Sequence, residues 1–137
     1  MKEKRCPNCG NGVLKKGSKP LSVEYRGKSF TIDQPGQYCT ACDEGIITGA
    51  DMKQTEKRVH DMRAEVDGYL TSDEVREIRT RLGLTQHAAA EIFGGGPNAF
   101  SRYERGEVRQ TRPLDQLLRL LDRHPEHLHE LAKKEAA

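Results

Sequence analysis

The residues best suited to chemistry begin with Cys6-Pro7-Asn8-Cys9 and Cys39-Thr40-Ala41-Cys42, a C-x2-C-x29-C-x2-C pattern that uses all four cysteines. Two thiolates separated by two residues wrap a tight turn around one face of an ion. Two such turns complete a tetrahedral shell of four sulfurs, which suits zinc. Such a shell is closed, whereas a catalytic zinc keeps one position open, so Cys6, Cys9, Cys39 and Cys42 predict one structural Zn2+. The spacer is longer than the roughly 15–20 residues of the commonest ribbons. A redox C-x-x-C would need a βαβ context that is missing here, and a cytosolic thiol stays reduced.

A second set lies in LTQHAAAEIFGGGPNAFSRYERG, residues 84–106. Asn98 and Arg102, four apart, share one helical face, and Phe100 and Tyr103, three apart, point the other way toward a core. Asn can take adenine through N6 and N7, and Arg can take guanine through O6 and N7, both in bidentate fashion. The competing reading is that two polar residues opposite a core face are merely solvated. Arg102, Arg105, Arg109 and Arg112, set against Glu104 and Glu107, add a modest basic strip.

The elements that must position these side chains follow from pattern. Between the cysteine pairs, Ser22–Tyr25 and Lys28–Ile32 alternate around Arg26-Gly27, which predicts a hairpin. Gly10 and Gly45 follow the two pairs and ease the chain's bend away from the ion. The few apolar residues there make a thin core, so metal supplies much of the folding free energy. Met52, Thr55, Val59, Met62 and Val66 recur at helical steps and predict a linker helix over 51–66, with Asp51 in its first turn and a hinge over Val66–Tyr69.

Thr71 to Glu74 reads as a capping box with Leu70 and Val75 as its staple, and Val75, Ile78 and Leu82 as the buried stripe. Thr85 caps the next helix, which buries Ala89, Ile92 and Phe93; Gly94-Gly95-Gly96 breaks it, and Pro97 suits the first turn of the helix that follows. Leu114, Leu117, Leu118 and Leu121 follow Pro113, and Leu128 and Leu131 follow Pro125. The expected architecture is multi-domain: a small β-rich zinc domain with a linker helix over 1–68, then an all-α, five-helix domain over 69–137. Leu120 falls off the main stripe, as a dimer contact or as extra core packing. His124, His127 and His129 cluster without an acidic or thiol ligand to complete a metal motif.

With 32% charged residues, 34% hydrophobic residues and no Trp, neither half can bury a large core. At a net charge of +2, bulk charge does not argue for nucleic acid, so any such contact must come from local placement. No apolar stretch approaches the ~20 residues of a membrane span, and the N-terminus lacks a signal-peptide core, so the expected setting is cytoplasmic.

The pattern L-T-Q-x4-E-x-F-x4-N-x-x-S-R-Y-E-x-G resembles the Xre/Cro-type helix-turn-helix. The fuller EIFGGGPNAFSRYERG resembles the antitoxin family named for MqsA. The paired C-x2-C motifs with YRGK between them look like that family's YgiT-type zinc domain, and LLRLLDRHPEHL like its closing helices. The resemblance implies a zinc domain that neutralises an MqsR-type mRNA-cleaving ribonuclease. It also implies a C-terminal domain that dimerises and represses its own operon at a palindrome. On matching positions, Asn98 and Arg102 become the base-reading pair, Arg63 a linker contact to DNA, and Gln86 and Ser101 phosphate contacts. Two alternatives stand beside this: a stand-alone zinc-containing regulator with no toxin, and a thiol-disulfide enzyme using Cys6 and Cys9.

Overall fold

The structure, a computed structural model, describes residues 3–133. The chain divides into two compact units, Met1–Arg58 and Val59–Ala137. The first is built on one antiparallel sheet in the order β1 (Lys4–Arg5), β2 (Val13–Tyr25), β3 (Lys28–Cys39), β4 (Gly45–Ile46). The hairpin is longer than the alternating pattern suggests. Its register runs unbroken from Tyr25↔Lys28 to Leu14↔Cys39, so all but the first few residues of the cysteine spacer form one ribbon. Arg26 and Gly27 both take positive φ, as a two-residue type I′ turn requires. Pro20 and Pro35 interrupt the alternation by eye, but a ribbon tolerates proline because each strand has an edge outside the shared ladder.

Leu14 and Ile32 are the buried aliphatic side chains of the ribbon among the described residues, and Leu14 packs with the cysteines; the partner of Ile32, Leu21, is 43% exposed. The thin core is supplemented by a buried polar clasp. The Gln34 amide donates to the carbonyls of Pro35 (2.9 Å) and Asp51 (3.1 Å), and its Oε1 accepts from the Thr55 hydroxyl at 3.0 Å. That clasp ties β3 to the start of α1 (Gly49–Asp67). The start itself is capped reciprocally: the Thr48 N–H donates to Asp51 at 2.9 Å, and the Asp51 N–H donates to the Thr48 hydroxyl at 3.2 Å. Met52, expected on the apolar stripe, is 61% exposed. Periodicity tells which face it occupies but not whether anything covers that face.

The second unit packs α2 (Ser72–Arg81), α3 (Gln86–Phe93), α4 (Ala99–Glu104) and α5 (Arg112–Arg123) around Leu70, Val75, Ile78, Ala89, Phe100 and Leu118. Phe93 and Tyr103 flank Phe100, with ring centroids 5.8 and 5.4 Å away. Ile92 is half-buried and outside this cluster. The capping box at α2 is complete, with Thr71 accepting from the Glu74 N–H and Glu74 from the Thr71 N–H. Thr85 and Thr111 cap α3 and α5 through their hydroxyls. After Pro125 comes a short 3-10 turn, Pro125–His127, before α6 (Leu128–Lys133).

Candidate metal centre and nucleic-acid interface

The ribbon's register brings the two cysteine turns to the same end of the sheet. Leu14 lies opposite Cys39, Arg5 opposite Val13, and the Thr40 N–H reaches the Val13 carbonyl at 3.0 Å. The four Sγ atoms consequently lie within 4.8 Å of one another, with Cys6 to Cys42 at 3.6 Å and Cys9 to Cys39 at 3.7 Å. Four sulfurs held about 2.3 Å from one ion at tetrahedral angles would sit about 3.8 Å apart. The donor set therefore fits a single tetrahedral metal ion, and all four thiols are free of disulfides.

Backbone amides are aimed at the sulfurs, as anionic ligands need. The N–H groups of Ala41 and Cys42 point at the Cys39 sulfur from 3.3 and 3.4 Å. The Gly12 N–H, followed by that of Asn11, holds the Cys9 thiol down to about 6 from its ordinary 9.0. The Ala41 N–H acts first on Cys39, whose thiol is also lowered. At Cys42 the Glu44 N–H pulls downward, but desolvation and the sulfurs of Cys39, Cys6 and Cys9 outweigh it and leave the thiol at about 11. A bare cluster cannot ionise every sulfur at once; a dication removes that mutual repulsion.

Gly12 is a site residue that the motif alone does not reveal. A Cβ there would lie 2.5 Å from the Cys39 sulfur and 2.8 Å from the Ala41 nitrogen, so the first turn can close on the second only with glycine. A Cβ at the flanking Gly45 would instead lie 2.7 Å from the Tyr38 ring.

In the second unit, α3 and α4 flank Gly94-Gly95-Gly96, whose φ values of 84°, 96° and 92° all lie in the region that only glycine enters cheaply. Pro97 stands before the helix and not in its first turn. Asn98 is the N-cap residue, and its side chain makes no cap hydrogen bond. Asn98 and Arg102 are both exposed, one turn apart, joined by the Arg102 N–H to the Asn98 carbonyl at 3.1 Å. Phe100 is fully buried on the opposite face. Ser101 is half-buried, and Arg63 is exposed on α1.

Gln86, half-buried at the start of α3, already donates to Glu104 at 3.3 Å. Glu104 closes α4 and receives Arg79 of α2 through two hydrogen bonds of 2.8 Å each. Arg79 also donates to the Leu84 carbonyl at 2.8 Å. This knot fixes α4 against α2 and α3, and no local motif announces it. The basic strip is partly spent: Arg105 pairs with Glu107 at 3.3 Å and Arg109 with Asp67 at 2.7 Å.

A sequence model described as the antitoxin component of bacterial toxin-antitoxin system, MqsA, matches residues 4–132. The chain belongs to the MqsA antitoxin family. Antitoxin MqsA of Escherichia coli (strain K12) is 38% identical over 129 residues, covering 93% of this chain and 98% of that protein. A solved structure of the N-terminal domain of the E. coli protein MqsA is 27% identical with a TM-score of 0.39, over 47% of this chain and 98% of that one. MqsA proteins are regulatory antitoxins, so this chain is a binding protein with a cognate toxin and not an enzyme. The thiol-disulfide alternative falls with that assignment.

The late histidines form no metal cluster among the described residues: His124 faces Glu126 at 3.6 Å and His127 faces Glu130 at 3.4 Å. Leu120 is 48% exposed and does not serve as core packing. It lines an apolar groove of about 430 Å3 with Leu117, Leu121 and Leu131. Among the described residues, no helix is long and apolar enough to cross a membrane.

Proposed function

We propose that this MqsA-family antitoxin neutralises an mRNA-cleaving ribonuclease of the MqsR type through residues 1–68, and represses its own operon through residues 69–137. One Zn2+ bound by Cys6, Cys9, Cys39 and Cys42 is the structural support of the first part. The closed four-sulfur shell has no open position, so the ion holds the two turns together and performs no reaction. Asn98 and Arg102 read base edges in the major groove, with Ser101, Gln86 and Arg63 on the sugar-phosphate backbone. Gln86 reaches phosphate only from the part of its amide not engaged by Glu104.

The observation that carries the DNA reading is the exposure of Asn98 and Arg102 on a helix whose other face is locked by Phe100 and Glu104. Two side chains on a rigid support, with no carboxylate partner among the described residues, are preorganised for base edges. The exposed groove around Leu120 supports pairing of two copies, which places two recognition helices on successive half-sites of a palindrome. In the cytoplasm, the toxin and the operator then compete for, or share, one dimer.

Co-expression with the product of the adjacent reading frame tests the toxin assignment. The expected result is a stable co-purifying complex and relief of growth arrest. A mobility shift on the chain's own upstream duplex tests the repressor assignment, and equal affinity for a scrambled duplex would remove it.

A further inference from the structure

Tyr69, half-buried between α1 and α2, carries two guanidinium groups against its ring. The Cζ atoms of Arg109 and Arg112 lie 4.8 and 4.9 Å from the ring centroid. Gathering two cations at one ring is unfavourable unless anions share the place. Asp67, with its side chain 5% exposed, provides one at 2.7 Å from Arg109. No carboxylate among the described residues pairs with Arg112, which is exposed.

Arg112 is also the first residue of α5, where the helix dipole disfavours a positive charge. Thr111 caps that helix and Pro113 follows, so helix initiation does not call for arginine at this position. Within the fold the ring of Tyr69 is the one partner this cation has among the described residues, and its N–H groups are left over. A ligand can take them.

We infer that Arg112, aligned on the Tyr69 ring, contacts a backbone phosphate of duplex DNA. The inference rests on the DNA-binding reading above. A stacked guanidinium keeps its N–H edge pointing outward, and that fork matches two phosphate oxygens. Stacking also removes rotamer freedom before the ligand arrives, so less entropy is lost on contact. The segment leaving the recognition helix folds back on it, with the Glu107 N–H on the Arg102 carbonyl at 3.0 Å, before it runs on to Arg112. Arg109, latched to Asp67, is the spacer that holds the ring in place. Tyr69 is a positioning residue.

The test uses the full-length, metal-loaded protein and two labelled duplexes, the chain's own upstream region and a scrambled version, titrated from low to moderate salt. Arg112→Gln is expected to weaken both duplexes by the same factor and to reduce the slope of log K against log salt by about one. Its melting temperature stays close to wild type, because relief of a cation at a helix N-terminus offsets the lost contact with the Tyr69 ring. Tyr69→Phe keeps the wild-type slope and Tyr69→Leu loses part of it. An unchanged slope in Arg112→Gln overturns the inference while leaving the repressor assignment intact. So does a loss of discrimination between duplexes with no change in slope. A wild-type chain that binds neither duplex removes the DNA reading and this inference together.

Discussion

Arg79 and Glu104 meet in a two-pronged ion pair, 2.8 Å at each prong, with side chains 13% and 4% exposed. Glu104 ends the helix that carries Arg102, and Arg79 belongs to the helix behind it. The Glu104 hydrogen bonds, more than its charge, hold Arg79 above its ordinary value. Breaking one side of so buried a pair strands the other, at about 3–5 kcal/mol. Glu104→Ala is expected to lose that much in chemical denaturation. A joint Arg79→Met, Glu104→Leu variant should recover most of it. A single variant as stable as wild type would show that the pair is solvated.

Gly12 sets the second prediction. Its missing Cβ is what lets the Cys39 sulfur approach, so Gly12→Ala should lower bound metal per purified chain without touching a ligand. Ser or Val there should lower it further. Gly17, where a Cβ meets nothing within 4 Å, is the control, and Gly17→Ala should retain the ion. Elemental analysis of the purified variants reads both outcomes.

At the start of α1, the Thr48 N–H and then the Thr48 hydroxyl hold the Asp51 carboxyl below its ordinary 3.8. A folded value below the unfolded one contributes stability that is complete above the unfolded value. That contribution is lost as pH falls through the lower, folded value. Nothing from this group should change near pH 7. In an NMR titration of the full chain, Thr48→Val removes the hydroxyl but keeps the N–H, so the Asp51 midpoint should rise only part of the way toward 3.8, and an unmoved midpoint would remove the hydroxyl's share of the cap.

Legibility followed distance along the chain. The Thr71–Glu74 box, the Thr85 cap and the glycine turn were readable because their partners lie within a few residues. The sulfur cluster was readable because a paired C-x2-C repeat has few uses. The Arg79–Glu104 pair was not, since its partners are 25 residues apart and each resembles any surface charge. The same holds for Asp115, which accepts at 2.7 Å from the N–H of Leu70, 45 residues earlier. Gly12 was hidden because its constraint is a neighbour in space, not in sequence. The apolar spacing starts the helix at 51, two residues past its actual start at Gly49, and so hides the cap between Thr48 and Asp51.

Leu120 tests pairing. An exposed leucine beside Leu117, Leu121 and Leu131 is a poor solvent surface and a good self-complementary one. Leu120→Glu should shift the chain to monomer in sedimentation at unchanged metal content, and weaken a palindromic duplex far more than a half-site. A persistent dimer would move the interface elsewhere.

On the proposed DNA reading, substitution of Arg102 separates base reading from backbone contact. Its side chain is exposed on a six-residue helix whose buried face, Phe100 and Glu104, does not depend on it. Arg102→Ala should leave the fold and metal content unchanged and cost about 1–3 kcal/mol on the operator per lost base contact. Binding to scrambled duplex should barely move, so the ratio between the two falls by about 5- to 150-fold, the same energy expressed as affinity. Asn98→Ala should do the same at a different base pair, because it lies one turn earlier on the same face. The two losses should add only if the residues read separate base pairs. A drop on both duplexes alike would make Arg102 a phosphate contact, and the specificity would then have to come from Asn98 and the shape of the operator.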